Sequence, residues 1–295
     1  MRIFVTGASG FVGSAIIKEL LTAGHQVLGL ARSDSSAESI RQAGAQAHQG
    51  DVNDLPTLQK GAADCDAVIH TAFNHDFSQF KANCEADRKV IETLGVALAG
   101  SDRPLIITSG IGLLRSERIV TEEDAPPGSD TVPRAASEEA AKAAAAKGAS
   151  VYIVRLPPTV HGKGDHGFVP MIINMAREKG ESVYIGEGKN RWPAVHRQDA
   201  AVLYRLIAER TPEQKIYHAV AEEGIPFRDI SAAIGQGLHV PVVSRTEKEA
   251  EAHFTWFTHF ASLGCPASSA KTRNTLDWQP TQPGLLEDLV PGIYF

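Results

Sequence analysis

Thr6-Gly7-Ala8-Ser9-Gly10-Phe11-Val12-Gly13 follows a β-rich run at residues 3–6 and opens a helical stretch at 11–23. Glycines in such a turn allow backbone dihedrals closed to other residues and let a pyrophosphate approach the helix N-terminus. A glycine triplet alone is weak evidence, and the strand–turn–helix setting is what makes it a dinucleotide signal. Outward from the turn, strands are expected at 26–30, 45–48, 67–71, 105–108 and 151–156, with helices at 35–43, 76–98 and 133–147. Alternation of this kind implies an α/β fold, a Rossmann-type doubly wound parallel sheet with helices on both faces. After residue 165 the rhythm breaks. A helix at 171–179, a strand at 182–185 and a helix at 198–209 precede an irregular stretch from 225, punctuated by Pro226, Pro241, Pro266, Pro280, Pro283 and Pro291. The expected organisation is a nucleotide-binding domain of residues 1–165 with a re-entrant segment at 197–222. A smaller C-terminal substrate lobe takes 166–196 and 223–295.

Composition narrows the class. The 295 residues carry a net charge of −6, with no basic footprint for nucleic acid or an anionic membrane surface. No apolar run approaches the roughly 20 residues that span a bilayer, and the N-terminus shows no signal-peptide pattern. Cys65, Cys84 and Cys265 are odd in number and far apart, which argues against a disulfide framework or a cysteine zinc site. No helical His-x-x-x-His pair stands in for them, so no metal site is expected. These features suit a cytoplasmic protein acting on a small-molecule substrate. The five tyrosines stand at 152, 184, 204, 217 and 294.

The TGxxGxxG spacing resembles the short-chain dehydrogenase/reductase superfamily, in particular its extended, atypical branch of epimerase/dehydratase-like proteins. Gly50-Asp51-Val52 resembles the adenine-binding segment of that branch, and His70-Thr71-Ala72 stands where its fourth strand meets the cofactor. Arg155-Leu156-Pro157-Pro158-Thr159-Val160-His161-Gly162 is similar to its segment beside the nicotinamide. Val195-His196-Arg197-Gln198-Asp199-Ala200 resembles its Val-His-x-x-Asp-x-Ala motif, and Thr272, Arg273, Leu276, Trp278 and Pro280 its C-terminal helix end. The resemblance implies cofactor contacts from Thr6, Gly7, Gly10, Phe11, Val12, Gly13, Asp51, Val52, Thr71, Ala72 and Pro157. It also implies a homodimer through the helices that flank the cleft. At the end of the second strand Ala31 replaces the acid an NAD site would use, and Arg32-Ser33 suits a 2′-phosphate. NADP(H) is therefore expected over NAD(H).

The catalytic pattern departs from the resemblance, which implies a Tyr-x-x-x-Lys pair and a nearby serine. No tyrosine lies between the expected fifth and sixth strands, and none of the five has a lysine four residues on. Registering the Ala-rich helix on Ser137 puts Arg134 at the tyrosine position and Glu138 at the lysine position. Arg134, Glu138 and Lys142 also fit a surface ion-pair ladder at i, i+4 spacing. Thr108-Ser109-Gly110-Ile111 resembles the serine turn, with Gly110 in its second place. An arginine suits carbonyl polarisation but, with a pKa above ~12, is a poor proton donor. A histidine is the natural replacement acid. The catalytic candidates are Ser109, Arg134 and His161; His75, His166, Arg191 and Trp192 are substrate candidates on cleft-facing segments. Trp192, Phe254, Trp256, Phe257 and Phe260 fit either a small aromatic core or an apolar substrate wall.

Three functions follow. The first is an NADP-dependent oxidoreductase reducing a small aldehyde or ketone with a non-standard proton donor. The second is a nucleotide-sugar epimerase or dehydratase, weakened by Thr159 where many such enzymes carry asparagine. The third is a non-catalytic NADP-binding sensor.

Overall fold

Chain order in the computed structural model, which describes residues 1–295, is strand–helix alternation to residue 156. The elements are β1 Arg2–Thr6, α1 Phe11–Thr22, β2 Gln26–Ala31, α2 Asp34–Gln42, β3 Gln46–Gln49, α3 Leu55–Ala63, β4 Ala67–His70, α4 Phe80–Leu98, β5 Pro104–Gly110, α5 Ala136–Ala146 and β6 Ser150–Leu156. There follow β7 Thr159–His161, α6 Phe168–Lys179, β8 Ser182–Ile185, β9 Arg191–His196, α7 Arg197–Arg210, β10 Ile216–His218, β11 Glu222–Pro226, α8 Phe227–Leu238 and β12 Val242–Arg245. The chain ends with α9 Glu247–Phe254, α10 Thr258–Ala261, α11 Ala270–Leu276 and α12 Leu285–Asp288. Seven parallel strands form the main sheet in the order β10-β6-β5-β4-β1-β2-β3. The order reverses between β1 and β4, the place where ligands bind in open α/β sheets.

Burial on both faces explains why these strands read as continuous apolar runs rather than alternating ones. Ile16, Ile17 and Leu20 of α1 and Leu203, Tyr204 and Ile207 of α7 cover one face. Leu58 of α3, Ile91 and Leu94 of α4 and Ala140, Ala141 and Ala144 of α5 cover the other. The smaller part builds a second core around Trp192, Phe227, Phe254 and Phe257. It contains the three-stranded sheet β11-β9-β7 and the pair β12-β8.

The stretch after 225 is not irregular: Pro226 caps α8 instead of breaking it, and Phe227, Ile230 and Ile234 supply a buried stripe at helical spacing. Helix α3 lies outside the sequence-based expectations: Pro56 falls in its first turn, where proline is favoured, but its nine residues bury only Leu58, Gly61 and Ala62 and give a weak apolar stripe. Residues 270–278, expected in the lobe, return to the main core. There Leu276 and Trp278 are buried, and Trp278 Nε1 donates to the Asp199 carbonyl at 3.0 Å.

His218, at the end of β10, carries a testable consequence. Its Nδ1 faces the Ser268 carbonyl at 2.9 Å and its Nε2 faces an Arg155 N–H at 3.2 Å, a pattern that requires the neutral ring. Burial pushes its pKa down from 6.5 to about 4. The unfolded chain then binds a proton that the folded one refuses, so stability falls as pH drops below the unfolded value. The expected loss from this residue is about 2 kcal/mol between pH 6.5 and 5. Urea unfolding at the two pH values checks it, with a shallower pH slope expected for His218→Gln.

Candidate active site

The glycine turn is tight enough to exclude side chains. Gly7 has φ +67°, and a Cβ there would lie 2.7 Å from Thr71 Oγ1 and 2.8 Å from the Ala72 nitrogen. A Cβ on Gly13 would lie 2.0 Å from the Gly7 carbonyl oxygen. Helix α1 starts at Phe11 with no side chain capping it, so its first amides are open to an anion. Thr71 Oγ1 donates to the Thr6 carbonyl at 2.8 Å and ties β4 to the turn. At the end of β2, Arg32 is exposed and Ser33 caps α2, accepting from the Ser36 amide at 3.2 Å. The Ser35 and Ser36 hydroxyls each lie 3.0 Å from that of Ser33. Asp51 accepts from the main-chain and side-chain amides of Asn53, both at 2.8 Å, through one carboxylate oxygen. Val52 is half-buried beside it, and Pro157 is buried just past β6. A cradle that any Cβ would fill, uncapped amides and a hydroxyl cluster beside an arginine fit a dinucleotide.

A polar chain runs from the turn into the cleft. Thr6 Oγ1 lies 2.7 Å from His70 Nδ1, and His70 Nε2 lies 2.9 Å from Asp87 Oδ1. Asp87 Oδ2 accepts from Arg134 Nη1 at 2.8 Å, and Arg134 Nη2 donates to the Thr108 carbonyl at 3.0 Å. The Ser137 hydroxyl joins both Asp87 and Arg134. The guanidinium lies 4.1 Å from the centre of the Phe73 ring. Burial alone would raise the Asp87 carboxyl, but the Arg134 charge and the His70 and Ser137 hydrogen bonds hold it well below the usual range.

Sequence reasoning missed Asp87, although a signal was present. It falls on the α4 stripe with Cys84, Ile91 and Leu94, where an unpaired acid would be costly.

Arg134 is thus held in the cleft, and the surface-ladder alternative is excluded. Lys142 is exposed, while Glu138 is 1% exposed and faces inward. Both Glu138 oxygens accept from Arg155, each at 2.8 Å. The same carboxylate corrects the expectation for Ser109. That hydroxyl is buried and donates to Glu138 Oε1 at 2.8 Å, pointing away from the cleft.

His161 is also corrected. It is fully buried, and its Nδ1 pairs with Asp288 Oδ2 of α12 at 2.7 Å, with His196 edge-on at 5.4 Å. The C-terminal segment covers it and leaves it no exposed surface, with its Nε2 buried and without a hydrogen-bond partner. Trp192 likewise belongs to the lobe core, fully buried, with Nε1 donating to the Leu263 carbonyl at 3.0 Å. Arg191 is half-buried on β9, its nearest polar partner the Glu117 carbonyl at 3.5 Å.

His75 and His166 remain at the cleft. His75 stands edge-on to Phe73 at 5.2 Å, and His166 edge-on to Phe11 at 5.8 Å. His75 is exposed. Desolvation by the surrounding protein, with the charges of Arg134 and His166, holds its pKa below the ordinary value. Of the lobe aromatics, Trp192, Phe254 and Phe257 are buried in its core, while Trp256 and Phe260 lie outside it with Phe168. These last three meet Phe77 from the segment between β4 and α4.

A glycine crevice at the switch point of a parallel sheet, with an adjoining lobe, defines a dinucleotide-binding α/β protein. The chain belongs to the NAD dependent epimerase/dehydratase family, whose sequence pattern matches residues 3–219. It is similar to the uncharacterized protein C2A9.02 of Schizosaccharomyces pombe, 49% identical over 295 residues and 100% of both chains. Against the 2-alkyl-3-oxoalkanoate reductase of Stenotrophomonas maltophilia it is 28% identical, over 83% of this chain and 78% of that one. In fold it is similar to a double mutant of DesIV, a dTDP-glucose 4,6-dehydratase from Streptomyces venezuelae solved with NAD. The TM-score is 0.79 at 20% identity, covering 99% of this chain and 96% of the other. No helix is long and apolar enough to cross a membrane.

Proposed function

We propose that this protein is an NADP(H)-dependent oxidoreductase that reduces the carbonyl group of a small, neutral aldehyde or ketone. The observation that carries the reading is Arg134, fixed by Asp87 and the Thr108 carbonyl at the cleft, beside an aromatic wall. The relative named as a 2-alkyl-3-oxoalkanoate reductase supports the direction of reaction. Thr6, Gly7, Gly10, Phe11, Val12 and Gly13 would hold the pyrophosphate, and Arg32 with Ser33 the 2′-phosphate. Asp51 and Val52 would hold the adenine, with Thr71, Ala72 and Pro157 toward the nicotinamide. When bound, the cofactor supplies the hydride.

The chain's own residues supply polarisation and a proton. Arg134 is a fixed cation with donors and no acceptor, suited to stabilising charge that develops on a carbonyl oxygen. It is too weak an acid to give up its proton, so the protonated imidazole of His75 delivers one to that oxygen. Because the pKa of His75 is depressed, its protonated fraction grows as pH falls below its ordinary value. Reductase activity is therefore expected to rise on acidification, and this rise is expected to vanish in His75→Ala.

Arg134→Ala is expected to lower kcat/KM by about 10²–10³-fold, measured as NADPH oxidation with a panel of aldehydes and ketones. Turnover that resists both substitutions would refute the assigned roles. Tight NADPH binding without turnover on the whole panel would instead favour the sensor. For the nucleotide, Arg32→Ala is expected to weaken NADPH binding by about tenfold or more while sparing NADH, since it removes one charge-assisted contact. Calorimetry showing tighter binding of NAD than NADP by the unaltered protein would refute the NADP assignment.

A further inference from the structure

Between Ala72 and the start of α4 the chain reads Phe73-Asn74-His75-Asp76-Phe77-Ser78-Gln79, with Phe80 opening α4, and it carries one ring across the cleft. Phe77 lies 5.2 Å from Trp256 and 5.6 Å from Phe80, at 29° to each ring. Phe260 at 5.4 Å and Phe168 at 6.0 Å complete its surroundings. Four aromatic side chains thus form a slot for one flat ring, and the protein's own phenylalanine fills it. The slot adjoins the reacting groups. Phe73, under the Arg134 guanidinium, lies 6.3 Å from Phe80, and Phe168 follows the loop that carries His166.

The polar bonds of this segment stay within it and the first turn of α4. Asp76 accepts from the Ser78 amide at 3.0 Å and from its hydroxyl at 2.6 Å. Its own amide donates to Asn74 Oδ1 at 3.1 Å, and Asn83 donates to the Asp76 carbonyl at 2.9 Å. All of these bonds are solvent-exposed. Its ties to the lobe are ring contacts. The Phe77 side chain can therefore turn out of the slot without breaking a polar bond to the lobe, while these bonds hold the backbone that carries His75, and a second flat ring can take the place of the first.

We infer that the subsite beside Arg134 accepts a planar aromatic ring, and that Phe77 occupies it as an internal stand-in until substrate arrives. The substrate class that follows is an aromatic aldehyde or ketone, its ring in the slot and its carbonyl toward Arg134. This rests on the reductase reading for the carbonyl, but not for the ring. A competing internal ring lowers apparent affinity by the fraction of time the slot is open. Removing it relieves that competition for flat ligands and not for flexible ones, which gain little from the stacking walls.

Trp256 offers a direct readout, because it is 52% exposed while Trp192 and Trp278 are 0% and 1% exposed. Titration of the NADPH-loaded protein with benzyl alcohol, which the reduced cofactor cannot turn over, is expected to change tryptophan emission saturably. The change is expected to disappear in Trp256→Phe. Phe77→Ala is expected to bind benzyl alcohol about tenfold more tightly, with hexan-1-ol little altered. Phe77→Leu, which keeps apolar bulk without a flat ring, is expected to give an intermediate gain and guards against misfolding of the alanine variant.

No saturable change in the unaltered protein or the variants, or an equal gain for hexan-1-ol, would overturn the inference. Saturable binding of benzyl alcohol without NADPH oxidation by any aldehyde would uphold the ring slot and reject the reductase reading. NADPH oxidation confined to straight-chain aldehydes would do the reverse.

Discussion

Glu138→Ala is expected to lower the unfolding free energy by about 3–5 kcal/mol, the range for removing one partner of a buried ion pair. Arg155 is 0% exposed and spends two N–H groups on this carboxylate. Its remaining bonds, to the Asp124 carbonyl at 2.8 Å and to His218 at 3.2 Å, cannot neutralise a buried charge. Ser109 loses its acceptor in the same step. Burial opposes ionisation of Glu138, but Arg155 and the Ser109 hydroxyl outweigh it and keep the carboxyl below its ordinary pKa. Denaturant melts at neutral pH check the loss. Glu138→Gln, which keeps the shape without the charge, is expected to be destabilising as well. A variant within about 0.5 kcal/mol of the parent, the span of an ordinary surface change, would show that the pair is not what holds β6 to α5.

Gly13→Ala is expected to abolish dinucleotide binding while leaving most of the sheet intact. The added Cβ would stand 2.0 Å from a backbone oxygen, that of Gly7, and backbone cannot rotate aside as a flexible side chain can. Helix α1 must then move away from the turn, opening the cradle of amides that would grip a pyrophosphate. Isothermal titration with NADPH is the direct measurement, and a loss of at least about 100-fold is expected for displaced phosphate contacts of this kind. Retention of parental affinity would mean the turn is not the phosphate site. The far-UV circular dichroism spectrum separates that outcome from global unfolding.

Much of the nucleotide half was legible from residues 2–13, because the physics there is local. A buried apolar run, three glycines at fixed spacing and an amphipathic helix leave few alternatives for the backbone. The same holds for Arg32-Ser33, whose place at the end of β2 follows from strand and helix boundaries alone. The charged residues of α5 were not legible in this way. Arg134 and Glu138 stand four residues apart on one helix, yet one reaches into the cleft and the other into the core. Their partners, Asp87 and Arg155, come from α4 and β6, 47 and 17 residues away in the chain. Helical spacing says which residues share a face and is silent on what covers that face.

The histidines and aromatics make the same point. His161 matched a motif position beside the expected nicotinamide, but α12 folds over it with Asp288, 127 residues distant, and buries it. Trp192 became core because Phe168, Phe227 and Phe257 converge on it. Phe77, in a loop with no motif at all, became the ring that spans the cleft.

By itself the sequence determined the parallel sheet, the glycine turn between β1 and α1 and the absence of the Tyr-x-x-x-Lys pair, since each depends on neighbours a few residues apart. Only the tertiary structure decided which charges are paired, which histidines are sealed and which rings face the cleft. Those outcomes depend on contacts between distant segments, where burial turns an unpaired charge from harmless to costly.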